Sequence, residues 1–275
     1  MGGANYICTD KTGTLTENKM QVINIITTNN IIDLKQNKEK TDILIEISEN
    51  KDYLETMKQS IGLNVDYSIK LIESKKIKEE EKDIYEAKNK TDKAFIDFLL
   101  NLEINIDSEI NKLFLLKNNF KKLPFDSQKK RMSIMIENKL FPTGYRLFTK
   151  GGAENALIYC EKYINSKDGK IYTFTEEKKD FLTNQINLMN KKMMRTLFIA
   201  YKDLTQEEYN KGFIQDENDI YIDQNNLIFI SIFCLRDSLR KNVAESVVKC
   251  HQAHVNVIMV TGDNLMTATA IGKEC

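Results

Sequence analysis

Tyr6-Ile7-Cys8-Thr9-Asp10-Lys11-Thr12-Gly13-Thr14-Leu15-Thr16 is a short apolar strand that runs directly into a polar loop containing one glycine. Near the other end of the chain, Val257-Ile258-Met259-Val260 runs in the same way into Thr261-Gly262-Asp263. Ahead of that second strand, residues 243–251 have the spacing of an amphipathic helix, with Val243, Val247 and Val248 on one face. A strand, helix, strand pattern predicts a parallel α/β sheet. In such sheets ligands bind beyond the carboxyl ends of the strands, so Asp10 and Thr261 are expected to meet there. The two chain ends then form one domain, and the middle is an insertion.

The middle, residues 22–233, has a different character. Strand-like stretches recur at 123–125, 132–136, 145–149, 197–200 and 228–233, and helical ones lie between them, such as 92–102 and 176–192. This mixture, with few βαβ spacings, predicts an antiparallel sheet with helices attached. Residues 29–89 are rich in Asn, Lys, Asp and Glu and include the run from Glu73 to Lys82. That composition predicts a solvated helix or mobile insert rather than a binding tract.

Bulk properties narrow the function. The chain of 275 residues has 40 acidic and 40 basic side chains, without the basic excess of a nucleic-acid or membrane-surface protein. Its longest apolar run, 227–235, is far short of the ~20 residues that span a bilayer, so the chain as it stands reads as soluble. Met1-Gly2-Gly3 lacks the Ser or Thr at position 6 that myristoylation wants, and no secretory signal follows. The five cysteines show no CxxC spacing, which suits reduced thiols in the cytosol. His251 and His254, close to Cys250, are too thin a ligand set for a metal and read as surface residues.

Chemically, the Asp10 loop is suited to phosphoryl transfer. A carboxylate exposed at a strand end stays ionised near neutral pH and can attack a γ-phosphoryl group. Gly13 lets the backbone approach phosphate, and Thr12 and Thr14 supply hydroxyls and amides. Neutralising the transition state calls for Mg²⁺ and a lysine. An Asp-Lys-Thr-Gly hairpin turn is the competing interpretation; seven consecutive matching residues after an apolar strand weigh against it.

Asp10 to Thr16 resembles the phosphorylation loop of P-type ATPases, whose DKTGT aspartate becomes an aspartyl-phosphate. Thr261-Gly262-Asp263-Asn264 is similar to the family's TGDN, and Asp237-Ser238-Leu239-Arg240 to its D-P-x-R hinge, with Ser238 in place of proline. The resemblance implies a haloacid-dehalogenase-like parallel-sheet phosphorylation domain, incomplete here, built from 1–21 and 234–275. An α+β nucleotide-binding domain on an antiparallel sheet, 22–233, is inserted in it. It also implies catalytic roles for Asp10, Lys11, Thr12, Thr261, Gly262 and Asp263, with Mg²⁺ at Asp10 and Thr12.

The nucleotide site is implied in the same way. Phe125-Asp126-Ser127-Gln128-Lys129-Lys130-Arg131-Met132-Ser133 is similar to the family's F-x-S-x-x-K-x-M-S. That match would stack Phe125 on adenine, with Lys130 beside the nucleotide. Lys150-Gly151-Gly152-Ala153-Glu154 resembles K-G-A-x-E, lining the adenine pocket with Lys150 and Gly151. Arg195 matches the arginine that reaches toward the phosphates. Thr91-Asp92-Lys93-Ala94 falls at T-E-x-A, where Asp92 replaces a Glu thought to touch the adenine amino group, so that contact is expected to be lost or bridged by water. Asp237 and Arg240 are grouped with these nucleotide residues.

Several details look like the plasma-membrane type of calcium pump: the residues before Asp10, Asn89-Lys90-Thr91, and Pro124-Phe125-Asp126-Ser127. Lipid flippases carry similar loops but tend to have Lys where this chain has Asn264. The resemblance implies ATP as ligand, a place at the cytoplasmic face of a membrane, and partners in the remaining domains and transmembrane helices of the same pump. The family's downstream lysine, GDGxND loop and actuator domain are absent from these residues, so nucleotide binding without turnover is expected. A soluble phosphatase would have a second Asp at position 12, where this chain has Thr. A nucleotide-binding module without catalysis is the remaining alternative.

Overall fold

The computed structural model describes residues 3–34, 39–65, 67–70, 84–87, 89–102, 104, 120–214, 221–262 and 265–275. The run from Glu73 to Lys82, and Asp263 and Asn264, lie outside the described residues. Strand β1 (Tyr6–Asp10) leads through the loop Lys11–Leu15 into β2 (Thr16–Ile26) and β3 (Ile31–Asp33). Two helices follow, α1 (Lys40–Ile47) and α2 (Lys51–Leu63), then the antiparallel pair β4 (Tyr67–Lys70) and β5 (Ile84–Ala87), and α3 (Lys90–Asn101). Strands β6 (Phe120–Asp126), β7 (Arg131–Glu137) and β8 (Tyr145–Gly152) form a meander. Beyond it lie the short α4 (Ala156–Tyr159), β9 (Cys160–Ile164), β10 (Ile171–Thr173) and α5 (Glu176–Lys191). The chain ends with β11 (Arg195–Leu204), α6 (Gln206–Lys211), β12 (Leu227–Leu239), α7 (Val243–Gln252), β13 (Asn256–Val260) and α8 (Leu265–Gly272).

Nine of these strands form one sheet, in the order β10-β9-β12-β11-β8-β7-β6, with β2 beside β12 and β3 beside β2. Every pairing in it is antiparallel except that of β12 with β9. The large antiparallel sheet expected from the sequence is therefore present, and all five strand-like stretches fall within β6, β7, β8, β11 and β12. Its central strands do not alternate apolar with polar, because both faces are covered. Ile230, Phe233 and Leu235 of β12 share one core with α2 and α3. Phe229, Ile232 and Cys234 of the same strand share the other with α5 and α6.

Burial in α2 departs from the expectation of a solvated or mobile insert at residues 51–63, while the charged run from Glu73 to Lys82 on which that expectation rested lies outside the described residues. Its N-terminus is capped by Asn50, whose Oδ1 accepts from the Tyr53 amide at 2.9 Å. Tyr53, Met57 and Ile61, at helical spacing, are 0–1% exposed, and the Tyr53 hydroxyl donates to the Ile230 carbonyl at 2.9 Å. The charged residues of α2, Lys51, Asp52, Glu55 and Lys58, fall outside its buried positions, so the helix is amphipathic, which composition averaged over the whole segment conceals.

β1 and β13 pair in parallel, with Asp10 opposite Val260, so the two chain ends meet as expected. From this pair the chain enters and leaves the large sheet along a two-stranded ribbon, in which Arg236 pairs with Gln21 and Asp237 with Met20. β2 and β12 run unbroken through positions 21–22 and 233–234. In α7, Val243 is buried but Val248 is 51% exposed, so the apolar face read from the sequence is wider than the one covered.

Candidate functional site

Asp10 is the last residue of β1 and is exposed. The loop after it turns at Gly13, whose φ of 81° lies in the left-handed region that glycine enters at no steric cost. Neighbours from β12 and beyond hold that loop in shape. Arg240 donates from Nε to the Thr14 carbonyl at 3.0 Å and from Nη2 to the Gly13 carbonyl at 2.8 Å. Asp237 accepts from the Thr16 hydroxyl at 2.7 Å and from the Lys19 amide at 3.0 Å. Of the two residues that the sequence reading grouped with the nucleotide residues, Arg240 thus satisfies backbone carbonyls of the Asp10 loop, and Asp237 holds the start of β2 directly after it. Lys11 and Thr12 belong to the same loop. Thr261 and Gly262 follow the strand that pairs with β1, and Asp263 lies outside the described residues.

A second constellation surrounds a cavity of about 510 Å³ on the large sheet. Phe125 of β6, Lys150 and Gly151 of β8, Arg195 of β11 and Thr91 and Asp92 of α3 all line it. These residues come from stretches as far apart in sequence as 92 and 195, and the sheet order brings them together. Phe125 is 53% exposed, an aromatic ring open to the cavity. Next to it, Asp126 accepts from the Lys129 amide at 3.0 Å and the Gln128 amide at 2.7 Å. These two amides hold its carboxyl below the usual carboxylate range. Arg195 donates to the Thr91 hydroxyl at 3.2 Å, fixing the guanidinium at the mouth.

At the floor, Lys150 and Asp92 form an ion pair at 2.5 Å, their side chains only 6% and 3% exposed. Asn89 holds Asp92 twice, accepting from its amide at 2.8 Å and donating to its Oδ2 at 2.9 Å. Lys130 is placed differently from its expectation. Its φ of 51° closes the β6–β7 turn, its ammonium sits 3.2 Å from Glu154, and it is not among the residues lining the cavity.

Gly151 has a steric reason to be glycine. A methyl group there would stand 2.9 Å from Arg131 Cβ and from Phe198 Cε1, and 3.0 Å from the Lys130 carbonyl. Gly151→Ala is expected to cost about 1–3 kcal/mol of stability through overpacking, read from a denaturant midpoint. A change within 0.5 kcal/mol would mean that β7 and β8 separate freely here.

The sequence reading missed the pair behind this strand. Arg131 and Asp223 are 2% and 0% exposed, with Nη2 donating to Oδ1 at 3.0 Å and Nε 3.0 Å from Oδ2. Ser133 also donates to Asp223, at 2.7 Å. The available signal was an arginine opening the apolar run 132–136; nothing local pointed to Asp223.

The site thus consists of an exposed aspartate at a strand end and a separate cavity with aromatic and basic residues in its lining. Residues 67–242 match the family described as P-type ATPase, cytoplasmic domain N, and the chain belongs to that family. Its relatives include the probable calcium-transporting ATPase 6, plasma membrane-type, of Oryza sativa subsp. japonica, 34% identical over 275 residues. Calcium-transporting ATPases 4 and 2, plasma membrane-type, of Arabidopsis thaliana are 32% and 33% identical, each over 277 residues. All of this chain is covered in each case, but it spans only about a quarter of the relatives' length, 24–25%. No helix among the described residues is long and apolar enough to cross a membrane.

Proposed function

We propose that this chain is the ATP-binding and phosphoryl-accepting part of the cytoplasmic region of a P-type calcium pump. The observation that carries the proposal is the convergence of Phe125, Lys150, Gly151, Arg195, Thr91 and Asp92 on one cavity. Phe125 stacks on adenine, an interaction worth about 1–3 kcal/mol. Lys150 and Gly151 form the wall along the base, and the Arg195 guanidinium meets phosphate oxygens.

An Asp10 carboxylate oxygen attacks the γ-phosphorus, the bond to the bridging oxygen breaks, and ADP leaves. Lys11, Thr12, Thr261, Gly262 and Asp263 hold the transferred group. The exposure of Asp10, the clamp on its loop by Arg240 and the hold of Asp237 on the start of β2 support this assignment. Asp10 and Thr12 offer hard oxygen donors of the kind that suit Mg²⁺ and would hold it here. When bound, the ion neutralises charge on the transferring phosphoryl group.

In this reading residues 1–21 and 234–275 belong to a haloacid-dehalogenase-like phosphorylation domain, and 22–233 to the nucleotide-binding domain. The parallel pairing of β1 with β13 supports it. Calcium as the transported ion rests on the names of the relatives. The pump's other domains and membrane helices are the partners, and the cytoplasmic face of a membrane is its place.

Calorimetric titration of ATP tests the nucleotide site. The parent chain is expected to bind, Phe125→Ala to weaken binding by roughly 5- to 150-fold, and Lys150→Ala to weaken it also. Absence of binding by the folded parent would withdraw the cavity assignment.

A further inference from the structure

The floor of the cavity points to a role for Asp92 other than contact with the nucleotide. Its carboxylate is almost wholly enclosed: Oδ1 receives the Lys150 ammonium at 2.5 Å, and Oδ2 receives the Asn89 side-chain amide at 2.9 Å. Asn89 also fixes the Asp92 backbone at 2.8 Å, as the cap of α3. The Lys150 ammonium also lies 5.1 Å from the centre of the Phe95 ring, and Phe95 is itself 0% exposed. Lys150, carried by β8, is thus held at its charged end by two residues of α3. A lysine stem is flexible, and holding it in one geometry costs rotamer entropy that a buried partner offsets. Aspartate is one methylene shorter than glutamate, and where it lines the cavity its Oδ1 and Oδ2 already receive Lys150 and Asn89.

We infer that Asp92 is a positioning residue: it acts on the nucleotide through Lys150, by holding that side chain as the floor against the base, and not through a bond to the exocyclic amino group of adenine. This deepens the nucleotide-site proposal above and rests on it. Recognition of the base is then set by ring stacking on Phe125 and by the shape of the floor. An adenine and a purine lacking the amino group should be affected alike by changes at Asp92.

The test is a cycle between protein and ligand, with ATP and purine riboside triphosphate, the analogue without the amino group, titrated into the parent and into Asp92→Asn. Circular dichroism verifies that each variant is folded. Asp92→Asn is expected to weaken both ligands by the same factor, leaving their affinity ratio within twofold of the parent's. Adding it to Lys150→Met should change affinity by less than twofold, because the residue through which it acts is gone. A ratio that collapses tenfold or more in Asp92→Asn, or full additivity with Lys150→Met, would overturn the inference.

If Asp92→Asn does not fold, Asp92→Glu makes the same comparison. Displacement of Lys150 would weaken both ligands together and keep their ratio within twofold of the parent's, whereas a loss confined to ATP, collapsing the ratio tenfold or more, would overturn the inference. Failure of the parent to bind either nucleotide would remove the cavity assignment itself. A collapsed ratio with parental binding intact would remove only the role given to Asp92.

Discussion

Asp223→Ala is expected to destabilise the protein by about 3–5 kcal/mol, a fall of roughly 5–9 °C in melting temperature. The reason is what the substitution leaves behind. Arg131 is 2% exposed and sits under the Lys150-Gly151-Gly152 strand. With Asp223 gone, its guanidinium keeps the Tyr159 hydroxyl at 3.4 Å as a distant acceptor and has no counter-charge among the described residues. An unpaired buried charge costs more than the pair itself contributes. Ser133 loses an acceptor at the same time. The double variant Arg131→Met, Asp223→Leu should therefore recover most of the loss, since it removes both charges and keeps the volume filled. Urea unfolding of the three proteins measures this. A single-variant loss under 1 kcal/mol would mean that water reaches Arg131, contrary to its burial.

Phe233→Ala should cost about 3–5 kcal/mol by opening a cavity in a core that cannot readily collapse. Phe233 is 0% exposed on β12, and its ring packs edge-to-face with those of Phe95 and Phe98 of α3, with centroids 5.2 and 5.5 Å away. These contacts attach the helix carrying Asn89 and Asp92 to the sheet carrying Lys150. Combined with Phe95→Ala, the loss should fall short of the sum of the single losses by about 0.5–1.5 kcal/mol, the coupling typical of edge-to-face rings. Strict additivity would mean that α3 is held by other contacts, and the coupling between helix and pocket floor would have to be sought elsewhere.

Much of this architecture follows from local pattern. The apolar strand ending in Asp10-Lys11-Thr12-Gly13 specifies an exposed carboxylate at a strand end, because strand and loop chemistry are both local. The spacing of Phe95, Phe98 and Leu99, or of Leu182, Ile186 and Met189, specifies helices with one covered face. The run 227–235 specifies a strand buried on both sides, and β12 has cores on both. Grouping Phe125, Lys150, Gly151 and Arg195 was also legible, through their resemblance to known motifs.

What the sequence left undetermined concerns partners separated by tens or hundreds of residues. No periodicity links Arg131 to Asp223, Lys150 to Asp92 or Arg240 to the carbonyls of Gly13 and Thr14. Each of these pairings exists because sheet order brings two distant stretches into register, and burial then makes an unpaired charge too costly to leave. The segment 29–89 illustrates the same limit in another way. Its composition is that of a solvated chain, yet Tyr53, Met57 and Ile61 are buried once the sheet offers a face to cover. The sequence by itself determined the elements and the chemistry of their ends. The tertiary structure alone decided which charges neutralise one another, because that depends on which faces are brought together and closed to water.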